Sequence, residues 1–126
     1  LIAAHTKHPV TVLNDEYTTS ELLSIVGNMD LLLAVRLHAL IFAGVMGVPM
    51  IGISYDPKID RFLEYIGERA VGDLKQITLD GLMDEVRRKW NDKAAFKSKN
   101  AALLSELRVL AVRNAELAFG LIQEKN

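Results

Sequence analysis

The sequence contains no cysteine. This absence excludes disulfide bonds, zinc–thiolate sites and thiol nucleophiles, and nothing points to an oxidising compartment. A strong excess of charge of either sign is also missing, because the formal net charge is -1 and the sequence pI is about 6.3. A dedicated nucleic-acid-binding domain is usually strongly basic, so that class of function is disfavoured. The longest apolar runs are too short to span a bilayer.

The sequence does hold enough apolar material for a hydrophobic core. Its 126 residues are 50% hydrophobic and 25% charged, which is the balance of an ordinary globular domain. A chain of this length forms one domain or a piece of one. Because it starts at Leu1 rather than at a methionine, we interpret it as a fragment of a longer protein.

Strand and helix patterns alternate over residues 1–78. Strands are predicted at Val10–Leu13, Leu31–Val35 and Pro49–Ser54, with one more short strand at Ile77. The continuous apolar run Leu31–Val35 is typical of a strand that is buried on both faces. The segments between successive strands are long enough to hold a helix, as parallel strands require. They predict an α/β fold, namely a Rossmann-like parallel sheet with helices on both faces.

The predicted helices lie between these strands and after them. Thr18 and Glu21 form a capping box that opens a helix through about Val26. Further helices are predicted at Ala39–Met46, Ile59–Ile66, Leu79–Asn91 and from about Lys93 to Gln123. We therefore divide the chain into residues 1–78, the α/β portion, and residues 79–126, the long carboxyl-terminal helices of the same domain.

Polar residues follow two of the predicted strands, where ligands of parallel sheets bind. Arg36 and His38 come after the first of these strands, and Ser54, Tyr55 and Lys58 come at or after the end of the second. Because the strands are parallel, these side chains are expected at one edge of the sheet.

The chemistry of this set favours an anion. Arg36 offers a planar fork for phosphate or carboxylate, and Lys58 offers a mobile point charge. His38 lies at the start of a helix and transfers protons near neutral pH. A phosphorylated or carboxylated small molecule therefore fits. The competing interpretation is that Arg36 and Lys58 pair with nearby aspartates and that His38 is a packing residue.

The run from Asp30 to Lys58 resembles the polysaccharide pyruvyl transferase family. The resemblance is carried by two motifs, Arg36–Ala39 and Tyr55–Lys58, and it extends from about Glu21 to Gly67. It is closest to the branch that pyruvylates cell-wall polymers for the anchoring of S-layer proteins. Beyond Asp80 it rests on helical character only.

This resemblance implies a fold, a reaction and residue roles. The fold is GT-B-like, with two Rossmann-like domains, and this chain covers the later part of the carboxyl-terminal one. The reaction transfers the pyruvyl group of phosphoenolpyruvate to two hydroxyls of a sugar as a ketal and releases phosphate. His38 falls on the catalytic histidine, Lys58 on a donor-binding lysine, and Arg36 in the same donor site. Ser54 and Tyr55 are assigned to substrate binding from their position at the end of the second strand, not from the resemblance.

The resemblance also implies the surroundings of the reaction. No metal and no cofactor besides the donor substrate are expected. The acceptor is a glycan or a lipid-linked saccharide, and the expected location is the cytoplasm, including the inner face of the membrane. Two other classes of function stay open, a GT-B glycosyltransferase that uses a nucleotide sugar and a non-catalytic α/β interaction module.

Two features of the carboxyl-terminal helices have alternative interpretations. The basic run Arg87–Lys99 is either a solvated helix face or a contact for anionic lipid. The last helix carries a heptad-like seam of Leu103, Leu107, Leu110, Asn114, Leu117 and Leu121. This seam either packs on the sheet or on the remainder of a longer protein, or it forms a homodimer.

Overall fold

The computed structural model describes residues 3–123, except for the side chains of Ala3, Leu107, Arg108, Ala118 and residues 121–123. A short 3-10 helix at Ala3–His5 comes first. The strands are β1 (Leu32–Ala34), β2 (Met50–Ser54) and β3 (Gly72–Asp73). The helices are α1 (Thr19–Gly27), α2 (Leu37–Met46), α3 (Pro57–Tyr65), α4 (Leu79–Asn91) and α5 (Lys93–Gln123).

The three strands form one parallel sheet in the order β1-β2-β3. In the register, Ala34 of β1 stands opposite Gly52 of β2, and Ser54 of β2 stands opposite Asp73 of β3. Helix α2 connects the first pair of strands and α3 connects the second. The predicted α/β class with a parallel sheet and flanking helices is thereby confirmed.

The central strand β2 is buried along its whole length. On one face, a Cβ at Gly52 would lie 2.6 Å from Leu63 Cδ1 and 3.3 Å from Leu40 Cδ1, so α2 and α3 meet over this glycine. Strand alternation places Ile51 and Ile53 on the opposite face. Both are buried, and α4 also packs against β2. The core is therefore organised on both sides of β2.

Three strand predictions need correction. Val10–Leu13 is an exposed irregular segment, because no strand in the described chain pairs with it. Leu33 is 48% exposed, since β1 lies at an edge of the described sheet and is not buried on both faces. The strand expected at Ile77 lies earlier, at Gly72–Asp73, and Ile77 donates its amide to the Asp73 carbonyl in the following turn.

Hydrogen-bonding side chains define several helix ends. The predicted capping box is confirmed, with Thr18 Oγ1 accepting from the Glu21 amide at 3.3 Å and Glu21 Oε2 accepting from the Thr18 amide at 2.8 Å. Helix α2 ends at Gly47, which has a left-handed φ of 69° that favours glycine. These local features explain why the helix boundaries agree closely with the sequence pattern.

The basic run Arg87–Lys99 attaches α4 and α5 to the rest of the fold. Lys89 is buried and pairs with Glu68, and its ammonium lies 5.5 Å from the centre of the Phe96 ring. Lys93 Nζ donates to Asp30 Oδ1 at 3.0 Å. The interpretation as a solvated face is therefore wrong for Lys89, which neutralises a carboxylate in the interior.

The outer part of α5 has a different environment. Leu103 packs against the core, whereas Leu110 is 46% exposed and Leu117 is 61% exposed. The side chains of Leu107 and Leu121 lie outside the described part of the structure. For the part of the seam beyond Leu103, packing on the remainder of a longer protein and homodimerisation both stay predictions. Among residues 3–123, no helix combines the length and the apolar character needed to cross a membrane.

We expect Gly52→Ala to lower the free energy of unfolding by about 1–3 kcal/mol, because the new methyl overlaps fully buried Leu63. Urea unfolding measures this change. Gly120→Ala on α5 is the control, because its added Cβ meets nothing within 4 Å. Equal stability of Gly52→Ala and the parent chain would show that the helices do not pack this closely.

We expect Lys89→Met to lower the free energy of unfolding by about 3–5 kcal/mol, because Glu68 loses its partner where little water reaches it. The double variant Lys89→Met/Glu68→Leu should recover most of the loss, since no isolated charge remains. Chemical denaturation of both variants tests this. A double variant as unstable as the single one would contradict the ion-pair explanation.

Candidate functional site

Two helices begin where two parallel strands end. Arg36 occupies the N-cap position of α2, and His38 is the second residue of that helix. Lys58 is the second residue of α3, which starts directly after the loop that follows Ser54. The predicted site residues are thus brought to one edge of the sheet, at its carboxyl ends.

The register places the two motifs at the same level. Ala34 pairs with Gly52, and Arg36 and Ser54 each lie two residues further along the chain. Both helices pack on the same face of β2, so their N-terminal turns open side by side at this edge. Partial positive charge at both helix starts adds to the charge of the basic side chains.

Arg36 and His38 are both exposed at this edge. Within the described chain, Arg36 forms no ion pair, and Asp30 is bonded to Lys93 instead. The competing interpretations fail for these two residues, because Arg36 is not neutralised by an aspartate and His38 is not packed between strand and helix.

The N-terminus of α2 has no side-chain cap. By contrast, Thr18, Asp56 and Thr78 cap α1, α3 and α4. The first amides of a helix have no acceptor within the helix. In α2 they add hydrogen-bond donors beside the Arg36 guanidinium, where an anion is favoured.

Asp56 fixes the start of α3 and the side chain of Lys58. Its Oδ1 accepts from the Lys58 amide at 3.0 Å, and its Oδ2 lies 3.3 Å from Lys58 Nζ. The backbone hydrogen bond, helped by the Lys58 charge, holds the pKa of the Asp56 carboxyl below its ordinary value of 3.8. For Lys58, pairing with an aspartate is therefore confirmed, although its side chain remains 60% exposed.

Ser54 and Tyr55 differ in their surroundings. Ser54 is buried, and its hydroxyl donates to Asp60 Oδ2 at 2.6 Å, which joins the end of β2 to α3. Tyr55 is about half exposed. Ser54 is thus held in place by the fold, whereas about half of Tyr55 is open to solvent.

A cleft of about 400 Å³ opens beside this edge, between α3 and β3. It is lined by Ser54, Asp60, Glu64, Arg69, Ala70, Gly72 and Asp73. Of the predicted site residues, only Ser54 lines it, and the other four lie on the exposed surface of the same sheet edge. The other polar lining residues, Asp60, Glu64, Arg69 and Asp73, were not predicted from the sequence. The i, i+4 spacing of Asp60 and Glu64 after a strand end was the available signal for them.

The carboxylates of the cleft do not form a metal site. Over the part of the chain that the structure describes, no group of three or more histidine, aspartate or glutamate residues is arranged to hold a metal ion. Any role of the cleft therefore rests on hydrogen bonding and charge.

The fold is that of a parallel α/β domain, and basic residues stand where two of its strands end. The family model of polysaccharide pyruvyl transferase matches residues 1–57, and this match confirms the family resemblance. The matched segment includes Arg36, His38 and Ser54, and it ends one residue before Lys58. At the level of the family, the match supports a transferase that acts in polysaccharide biosynthesis.

Comparison with curated proteins found no match, and comparison with solved structures found none either. The family match therefore supports the coarse class of activity, whereas the roles of individual residues rest on their chemistry and position.

The lowered pKa of Asp56 predicts an acid-dependent change at the site. The stabilisation that the carboxylate gives to α3 should be complete above pH 3.8 and lost as the pH falls through the lower folded-state pKa. The Lys58 amide signal should follow this transition in a heteronuclear NMR titration. Asp56→Asn keeps a capping side chain but should abolish the transition. A transition of the Lys58 amide signal with its midpoint at or above pH 3.8 would contradict the lowered pKa of Asp56.

Proposed function

We propose that the protein takes part in the transfer of a pyruvyl group from phosphoenolpyruvate to a saccharide, forming a ketal and releasing phosphate. The observation that carries this proposal is the position of Arg36, His38 and Lys58. These residues come from the two family motifs and stand at one sheet edge beside two helix N-termini.

The donor carries a carboxylate and a phosphate, and the basic residues match both groups. Arg36 is suited to bidentate binding of one of them, because its guanidinium is exposed and has no ion-pair partner in the described chain. The uncapped start of α2 supplies backbone amides to the same anion. Lys58 binds the other group and exchanges its contact with Asp56 for the donor.

Ketal formation requires a balanced set of proton movements. A proton adds to the methylene carbon of the donor, which becomes the methyl group, and the carbon that bears the phosphate becomes electrophilic. Two sugar hydroxyls add to that carbon and lose their protons, while the carbon–oxygen bond to phosphate breaks. One of the released protons replaces the proton that was delivered, and the other leaves with phosphate. His38 is assigned the proton transfer, and Arg36 and Lys58 stabilise the departing phosphate.

The same proposal includes the parent fold, the acceptor and the cellular location of the reaction. The parallel sheet corresponds to part of the carboxyl-terminal domain of a GT-B-like fold, with the donor at the carboxyl ends of its strands. The acceptor is a glycan or a lipid-linked saccharide, and the branch that modifies cell-wall polymers for S-layer anchoring fits best. We place the reaction in the cytoplasm, at the inner membrane face where the acceptor is lipid-linked.

A binding experiment tests the donor site directly. Phosphoenolpyruvate is titrated into the isotope-labelled chain, with UDP as competitor and heteronuclear NMR as the readout. Saturable shifts at residues 36–40 and 54–58 that UDP does not reverse are expected. Arg36→Ala should weaken binding at least tenfold, since an ionic hydrogen-bond pair is lost. The exposed Lys97→Ala is the control. A preference for UDP would favour a nucleotide-sugar transferase, and no response to either ligand would contradict the proposal.

We expect His38→Gln to abolish phosphate release from phosphoenolpyruvate by the protein. Glutamine keeps much of the size and polarity of the side chain but does not transfer the proton. Release of inorganic phosphate with a saccharide acceptor is measured, and donor binding by NMR serves as the control for an intact fold. Turnover that survives the substitution would remove His38 from the mechanism.

A further inference from the structure

We infer that the cleft between α3 and β3 is the subsite for the saccharide acceptor, an inference that rests on the proposed function. The cleft lies at the carboxyl ends of β2 and β3, which is the edge where parallel sheets bind ligands. Its volume of about 400 Å³ falls in the range of small-molecule sites.

The lining provides the groups that recognise sugar hydroxyls. Asp60 and Glu64 lie one turn apart on the same face of α3, and Asp73 stands across the cleft at the end of β3. Their carboxylate oxygens accept hydrogen bonds from hydroxyl groups, and the Arg69 guanidinium donates to hydroxyl oxygens. A polyol offers donors and acceptors together, so it satisfies both kinds of lining group.

The floor of the cleft is held in place by the fold. Ser54 is only 7% exposed, and its hydroxyl donates to Asp60 Oδ2 at 2.6 Å. Asp73 Oδ1 accepts from the Lys75 amide at 2.8 Å. Each of these carboxylates has a second oxygen for an incoming ligand. A site whose acceptors are already oriented loses less entropy when a flexible saccharide binds.

The charge of the cleft distinguishes a saccharide from other small ligands. Three carboxylates face one guanidinium, so the lining disfavours an anion such as phosphoenolpyruvate. A metal ion is also disfavoured, because the acidic groups of the described chain are not arranged as ligands. An uncharged polyol is compatible with the net negative charge and uses its donors as well as its acceptors.

The cleft and the basic residues share one helix and one strand end. Ser54 belongs to both, and α3 carries Lys58 in its first turn and the two cleft carboxylates just beyond it. Along the helix axis, Asp60 lies about 3 Å and Glu64 about 9 Å from Lys58. These are rises along the axis only. At about 100° per residue, both carboxylates lie on a different side of α3 from Lys58, so the cleft and the basic residues share the helix and the end of β2 rather than one helix face.

The test uses methyl glycosides of glucose, galactose, N-acetylglucosamine and N-acetylmannosamine, titrated singly into the labelled chain. Shifts at Glu64 and at residues 69–73 are expected for at least one glycoside. Glu64→Gln should weaken that binding about tenfold, because a hydrogen bond to a charged acceptor is lost. Glu116→Gln on α5 makes the same charge change away from the cleft and should leave binding unaltered.

The outcomes separate this inference from the proposed function. Donor shifts at residues 36–40 without any glycoside shift at the cleft would overturn the acceptor subsite and leave the donor site standing. Glycoside shifts at the cleft without donor shifts would support the saccharide subsite and overturn the proposed donor. Equal weakening by Glu64→Gln and Glu116→Gln would also overturn the subsite, because the effect would then be one of overall charge.

Discussion

The close approach of α2 and α3 to the backbone of β2 is the constraint on which the candidate site depends. Leu40 and Leu63 are fully buried and meet over Gly52, where no side chain keeps the helices apart. Both helices follow parallel strands and lie on one face, so both must begin at the same edge. The convergence of Arg36 and Lys58 is therefore a result of packing rather than of any direct contact between them.

Charge divides this edge of the sheet into two regions. On the side of β1 and β2, exposed basic groups and an uncapped helix start provide positive potential. On the side of α3 and β3, carboxylates outnumber the single guanidinium of the cleft. Asp56 lies between these regions. Its carboxylate contacts both the backbone amide and the side-chain ammonium group of Lys58. In the proposed reaction, this division would favour the anionic donor in the first region and the neutral polyol in the second.

Local sequence patterns predicted the parts of the structure that local chemistry decides. The helix starts at Thr18 and Thr78 follow from hydroxyl caps, and the bounds of α4 were predicted without error. Tertiary effects account for the failures. A β-branched run such as Val10–Leu13 becomes a strand only when a partner strand is available, and the pairing of Lys89 with Glu68 joins residues 21 positions apart. The motifs indicated the basic residues, but the cleft depends on how α3 faces β3, which no single segment encodes.

The hydrogen bond between Asn100 and α2 links two distant parts of the molecule. Asn100 is 5% exposed, and its Nδ2 donates to the Gly44 carbonyl at 2.6 Å in the last turn of α2. The first turn of that helix carries His38, about 9 Å away along the helix axis. Most of α5 beyond Leu104 projects into solvent over its described side chains. Asn100 therefore ties the last turn of α2 to α5, and the helix that presents His38 is anchored at its far end by the carboxyl-terminal helix.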